Sequence, residues 1–258
     1  MTSTTASQPN TRGGVRVERA GKRVRAYLGG VAVADTTRPL LVWEKPYHPT
    51  YYFPLDDVRT ELLERDDGPA VRSPSRGDGH TYVVRAGGSE AAGAALRYEE
   101  SPLEELRDAI RLDWDGMDAW FEEDEQVFTH PRDPYTRVDI LPSSRHIRVE
   151  LDGVTVADSA KPTLLFETGL PARYYLPKTH VRMDLLTATD SVSHCPYKGQ
   201  AEWWSVGAGD QVHEDLAWSY RTPLPESQKI AGLIAFYNEK LDIYVDGVRQ
   251  ERPRTKFS

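Results

Sequence analysis

The 258-residue chain has one cysteine, Cys195. That excludes an intrachain disulfide and any zinc site built from several thiolates. No apolar run approaches 18 residues, so no segment is predicted to cross a bilayer as a helix. Lys and Arg number 32 against 40 Asp and Glu, for a net charge of −8. The basic residues are scattered and form no stripe, so binding to a nucleic-acid backbone is not expected. The seven histidines (48, 80, 130, 146, 180, 194 and 213) show no HxxxH-type spacing, and no metal or other cofactor is expected. A site built from His180, His194, Cys195 and His213 is the remaining metal reading and lacks any ligand pattern. Also missing are a Walker loop, a GxGxxG opening a helix and a GxSxG turn. The N-terminal stretch MTSTTASQPNTRGG is polar and has no apolar core of a secretory signal. It reads as a disordered tail over residues 1–14, and the expected location is the cytoplasm.

What is present is a repeat. Residues 24–67 align without a gap on residues 147–190 at an offset of 123, with 18 identities in 44 positions, among them Gly30/Gly153, Asp35/Asp158, Pro39/Pro162, Glu44/Glu167 and Tyr52/Tyr175. Two copies of one unit imply two domains. Their expected bounds are 15–121 and 147–258, joined by a Pro-rich connector over 122–146. A hydrophobic content of 39% with 6 Trp and 13 Tyr is enough for two packed cores.

Turn chemistry and alternation make each unit mainly β. Arg148–Leu151 and Val154–Ala157 flank Asp152-Gly153, a pair suited to a two-residue hairpin turn. Gly29-Gly30 stands in the same place in the first copy, and Asp246-Gly247 is a third such pair. The alternation of Val181, Met183 and Leu185 predicts a half-buried strand. Strands are predicted over 200–206, ending at Gly207-Ala208-Gly209, and over 213–220. Residues 226–231 read as a helical turn. Residues 233–237 and 241–245 read as a hairpin around Asn238-Glu239-Lys240, because Phe, Tyr, Ile and Val favour strands.

The chemistry-bearing motif is His194-Cys195-Pro196-Tyr197-Lys198-Gly199. At an offset of 122 the first copy has Arg72-Ser73-Pro74-Ser75-Arg76-Gly77. Pro and Gly persist, so the turn is kept; Cys, Tyr and Lys are replaced by Ser, Ser and Arg. The same offset pairs Tyr98 with Tyr220 and Trp114 with Phe236. A thiolate is the nucleophilic form of cysteine, and nearby positive charge favours it. Cys195 is thus a candidate nucleophile, with His194 or Glu167 as proton carrier and Lys198 as anion stabiliser. The competing reading is that a lone cysteine is a small buried hydrophobe. Glu44 and Glu167 hold one position in both copies, which favours a structural role. Trp203 and Trp204 point to opposite faces of one strand, one into core and one toward solvent or a pocket, and the aromatic residues read either as a pocket lining or as core. Tyr175, Tyr197, Trp204, Trp218 and Tyr220 are the candidate ligand-binding set.

From Tyr175 onward the order of motifs resembles a bacterial and fungal family catalogued as domain of unknown function 427. The residues are Tyr175-Leu176-Pro177, Cys195–Gly199, Trp203-Trp204, Ala217–Tyr220, Pro223–Pro225 and Ala235–Tyr237. The stretch from His130 to Tyr135, with Ser144-Arg145-His146 after it, is similar to the connector of tandem members. The first copy keeps Tyr52-Phe53-Pro54 but lacks Cys-Pro-x-Lys-Gly. The resemblance implies a fold similar to the Mss4-like, tent-shaped β architecture, whose relatives often hold zinc with four cysteines; this chain cannot. It also carries a nucleotidyltransferase label. Asp113-Trp114-Asp115 has no Gly-Ser partner ahead of it to support that label.

The expectation is therefore two tandem β-tent domains of short antiparallel strands with few short helices, paired by a pseudo-two-fold within the chain. Three functional readings stay open. One is a module binding a small molecule in an aromatic-lined pocket of the second domain. One is an enzyme using Cys195, nucleotidyltransferase-like chemistry included. The third is a structural interaction module. The partner is an unknown small molecule, with neither nucleic acid nor membrane.

Overall fold

A computed structural model describes residues 10–12, 14–45, 47–255 and 257–258. The expected tail lies mostly outside the described residues. Its end does not: Asn10–Arg12 is a strand paired antiparallel with Val15–Arg19. The chain divides into two compact units, Met1–Asp133 and Pro134–Ser258. Both are mainly β, with curled antiparallel sheets. The described helical segments are short 3-10 turns, the longest being Pro225–Ile230.

The two units repeat one register. Thr163 faces Tyr175 in the second as Leu40 faces Tyr52 in the first. Arg148 faces Asp158 as Arg25 faces Asp35. The hairpin turns fall where the sequence puts them, with Asp152 and Gly153 at φ of 50° and 79° and Gly29 and Gly30 at 57° and 74°. Positive φ at both positions is the requirement that selects Asp-Gly and Gly-Gly.

In the second unit the strands Val138–Pro142, Thr163–Glu167 and Arg173–Tyr175 form one sheet. A single bridge, Leu176 to Ile234, links it to Leu186–Cys195, Gly199–Ala208, Gln211–Ser219 and Ile234–Phe236. Val154–Ser159, Ile147–Leu151, Asp242–Val245 and Val248–Arg249 make the other sheet. Alternation then gives two apolar clusters. Leu176, Val206, Ala217, Ile234 and Phe236 face Val149 and Ile243 between the sheets. Their chain neighbours Tyr175, Trp218 and Ala235 face the other way, with Tyr220, Ile140 and Leu165. The first unit has the same two clusters, the second of them holding Tyr52 and Tyr98.

Four expectations are corrected. Val181, Met183 and Leu185 do not form a strand: two 3-10 turns, Lys178–His180 and Met183–Leu185, precede the strand that begins at Leu186. Pro177 opens the first of these turns, and its fixed φ of −55° suits a turn start. The segments 233–237 and 241–245 are strands but not partners. Ile234–Phe236 pairs with Gln211–Ser219, and Asp242–Val245 with Ile147–Leu151. The segment read as connector carries two strands, Glu125–Val127 and Val138–Pro142, one in each unit. Finally, Trp114 and Phe236 are not equivalent. Ala95 pairs with Leu112 where Ala217 pairs with Phe236, so the offset grows from 122 to 124 between Tyr220 and Ile234. Arg111 therefore corresponds to Ala235.

Candidate functional site

The turn Cys195-Pro196-Tyr197-Lys198 closes through Lys198 N donating to Cys195 O at 3.3 Å. Proline sits at its second position, where a fixed φ near −65° is favourable. Gly199 leaves the turn at φ 95°, and Gly77 does so at 88° in the first unit, which explains why glycine persists in both. Leu224 N donates to Lys198 O at 3.0 Å and Ser227 Oγ to Tyr197 O at 3.0 Å. The loop is thus tied down by the segment that follows the Gln211–Ser219 strand.

Lys198 is 8% exposed, and its Nζ forms an ion pair with Glu167 at the end of the Thr163–Glu167 strand. Tyr175, 1% exposed, lies in the same cluster and accepts a hydrogen bond from Trp218 Nε1 at 3.1 Å. Burial pushes the Tyr175 hydroxyl up to about 12, with Lys198 and the Trp218 bond pulling the other way. Burial, with Tyr175 and Cys195, also pushes Tyr220 up. Both phenols therefore keep their protons at neutral pH. Burial disfavours the Lys198 cation, but Cys195, Glu167 and Tyr175 outweigh it and hold the amine above its ordinary value. Cys195 is half-buried at the end of its strand.

Much of this set's bonding capacity is unused. Among the described residues Lys198 Nζ has one hydrogen-bond partner, Glu167, and Glu167 has only Lys198. The Tyr175 hydroxyl accepts from Trp218 but has no acceptor for its own proton, and neither Tyr220 hydroxyl nor Cys195 Sγ has a partner. None of these nitrogen and oxygen atoms is both fully buried and without a hydrogen-bond partner, whereas Arg111 Nε of the first unit is.

The first unit holds the same place closed. Glu44 is bound by Arg76, by Arg111 Nη1 at 3.1 Å and by the Tyr52 hydroxyl. Ser73, in place of Cys195, accepts from Arg76 Nε at 3.0 Å and from its backbone N at 3.3 Å. The Arg76 guanidinium lies 5.2 Å from the Tyr98 ring centroid. Two further, coupled replacements separate the units. Leu96 and Arg111 are cross-strand neighbours in the first, and Trp218 and Ala235 are in the second. The small Ala235 leaves room for the indole, whose N–H then reaches Tyr175.

The candidates are only partly gathered. Cys195, Lys198, Glu167, Tyr175, Trp218 and Tyr220 belong to one neighbourhood. Trp204 does not: it packs in the inter-sheet core, with Lys178 Nζ 5.5 Å from its ring. Its neighbour Trp203 is the one that faces this cluster, within 5.5 Å of the Trp218 and Tyr237 rings. His194 is exposed while Cys195 is half-buried, because successive strand residues face opposite sides. Tyr197 is half-buried, with its carbonyl held by Ser227. Among the described residues no cluster of His, Cys, Asp or Glu is arranged to hold a metal ion, and no helix is long and apolar enough to cross a membrane.

Sequence reasoning missed a second buried pair. Arg173 binds Glu239 through two bonds of 2.6 and 2.8 Å, and Thr255 adds a third to Glu239 at 2.6 Å. The guanidinium lies 5.6 to 5.9 Å from the ring centroids of Trp218, Tyr237 and Phe257. Nothing in the pattern around Asn238-Glu239-Lys240 separates a buried carboxylate from an ordinary turn.

No curated protein matches the chain. The family described as Domain of unknown function (DUF427) matches it twice, over residues 16–123 and 139–247. These matches cover one copy in each unit, and together they span most of the sequence. The chain therefore belongs to the DUF427 family, as a member with two tandem domains.

Proposed function

We propose that the second domain binds a small molecule at the cluster of Cys195, Lys198, Glu167, Tyr175 and Tyr220, with Trp218 and Trp203 as its aromatic side and Tyr197 at its rim. The observation that carries this reading is the contrast between the two units. Where Glu44 is bound by two arginines and a tyrosine, Glu167 has a single lysine, and neither the Tyr175 nor the Tyr220 hydroxyl nearby donates a hydrogen bond among the described residues. Small-molecule sites combine apolar walls with a few convergent polar groups of this kind. Trp204, packed in the other core, has no part in the reading.

A second reading is favoured by the placing of the thiol. Cys195 stands close enough to Lys198 to contribute to holding its charge. On that reading Cys195 attacks, Lys198 stabilises the developing oxyanion and Glu167 carries the proton. His194, on the exposed face, has no role.

Since Cys195 is the only thiol, both readings are tested by alkylation followed by mass spectrometry. The folded chain is expected to take up one label near neutral pH. Small molecules that occupy the site are expected to slow labelling in a saturable way. Labelling only after denaturation, or labelling that no compound in a fragment collection slows, would contradict the binding reading. For the nucleophile reading, Lys198→Arg is expected to retain the labelling rate and Lys198→Met to lower it; equal rates in the two variants would exclude it.

A further inference from the structure

We infer that the ligand of this site presents a neutral carbonyl group, with the carbonyl oxygen received by Lys198 Nζ, Tyr175 and Tyr220 and the carbonyl carbon facing Cys195 Sγ. The inference rests on the binding reading above and narrows it to a class of compound.

Three observations lead to it. First, the unused capacity is mostly of donors. Lys198 Nζ carries three hydrogens and has one partner, Glu167. Tyr175 accepts from Trp218 and so turns its own hydrogen elsewhere. Tyr220 is 5% exposed and its hydroxyl has no partner among the described residues. Burial keeps both phenols protonated. Tyr175 lies near Lys198 on one side and near Tyr220 on the other, and donors gathered in one neighbourhood are suited to receive an oxygen.

Second, the cluster is already neutral. The Lys198 charge is balanced by Glu167, both side chains being no more than 10% exposed. A carboxylate or phosphate ligand would bring a second anion next to Glu167 in a region of low polarity, and an uncompensated buried charge is costly. A neutral carbonyl oxygen takes the same hydrogen bonds without that cost. The first unit would meet an incoming anion quite differently, since there two arginines surround Glu44.

Third, the thiol stands at the edge of the donor set, half-buried and without a hydrogen bond among the described residues. With an aldehyde, the thiol adds across the C=O bond. The S–C bond forms, the C=O π bond breaks, and the thiol proton ends on the former carbonyl oxygen. The product is a hemithioacetal; nothing is oxidised or reduced, and the reverse reaction releases the aldehyde. Amides and esters bind through the same oxygen. The aromatic side of the site, Trp218 with Trp203, suits an aryl substituent on the carbonyl.

The test compares benzaldehyde, benzamide and benzoate, which share a ring and differ at the oxygen-bearing group. Binding to the full chain is followed by ligand-detected NMR and by protection of Cys195 from alkylation. Benzamide and benzaldehyde are expected to bind, and benzoate to bind about tenfold more weakly or worse. With benzaldehyde labelled with 13C at the carbonyl, the protein is expected to shift the signal from the aldehyde to the hemithioacetal region. Cys195→Ser should abolish that shift. Tyr220→Phe, which removes a donor at nearly constant volume, should weaken benzamide by about 3- to 10-fold. Benzoate binding as tightly as benzamide would overturn the inference. So would the finding that compounds lacking a carbonyl protect Cys195 while none of the three probes binds; in that case the binding reading would stand and only the ligand class would fail.

Discussion

Lys198→Met is expected to destabilise the second unit by about 3–5 kcal/mol, because it leaves Glu167 as a buried carboxylate without a counter-charge. The pair is closed to solvent on both sides, at 10% and 9% exposure, so water does little to screen the loss. The cause is the orphaned charge and not the lost methylenes, which Met largely replaces. It follows that Lys198→Met combined with Glu167→Leu should regain most of the stability, since a hydrophobic pair of similar volume often matches a buried ion pair. Urea unfolding followed by tryptophan fluorescence measures both variants. A single variant within about 0.5 kcal/mol of the parent, the level of an ordinary surface substitution, would mean that the pair is not buried as described.

Arg173→Met is expected to have an effect of similar size and a distinctive pH dependence. Glu239 is fully buried as a side chain and takes both its bonds to Arg173 at good geometry. Burial pushes the Glu239 carboxyl up, but the hydrogen bonds from Arg173 and Thr255 outweigh it and hold the group below its ordinary value. A carboxylate depressed in the folded state contributes stability above its unfolded value, about 4.3 for Glu. That contribution is lost as the pH falls through the folded value. The parent should therefore lose this increment on acidification below about pH 4. In Arg173→Met the same carboxyl is buried without a cation, so it favours the protonated form, and the difference between parent and variant should shrink as the pH falls. Stability curves for the two proteins at a series of pH values check the sign. A difference that widened toward acid pH would contradict the assignment.

The repeat made much of this architecture readable. The 44-residue match carried the hairpins, the turn glycines and the equivalence of Tyr52 with Tyr175 and Glu44 with Glu167 into the structure unchanged. The rest was not readable. The two extra residues of the second copy lie between Tyr220 and Ile234 and hide that Ala235 replaces Arg111. A fixed offset aligns Trp114 with Phe236, yet Trp114 stacks on Trp120 at 4.5 Å. The faces of Trp203 and Trp204 were separable by alternation, but alternation alone does not say which face is the inter-sheet core. The ion pairs Lys198–Glu167 and Arg173–Glu239 join residues 31 and 66 positions apart, and no local pattern encodes such a meeting. Val181, Met183 and Leu185 misled because two successive 3-10 turns also place alternate residues on one side over a short stretch.

One cross-strand pair, alongside the exchange of Arg76 for Lys198, is expected to decide whether a unit is open or closed at this position. Trp218 with Ala235 leaves Tyr175 and Glu167 with unused bonding capacity, whereas Leu96 with Arg111 closes the corresponding place around Glu44. The most direct measurement gives the second domain the first domain's pair, Ala235→Arg with Trp218→Leu, and asks whether compounds that protect Cys195 in the parent still do so. The swapped chain is expected to fold, as judged by circular dichroism and thermal unfolding, with the introduced guanidinium bound to Glu167 and protection abolished. A folded variant in which the same compounds protect Cys195 as well as before would contradict the claim.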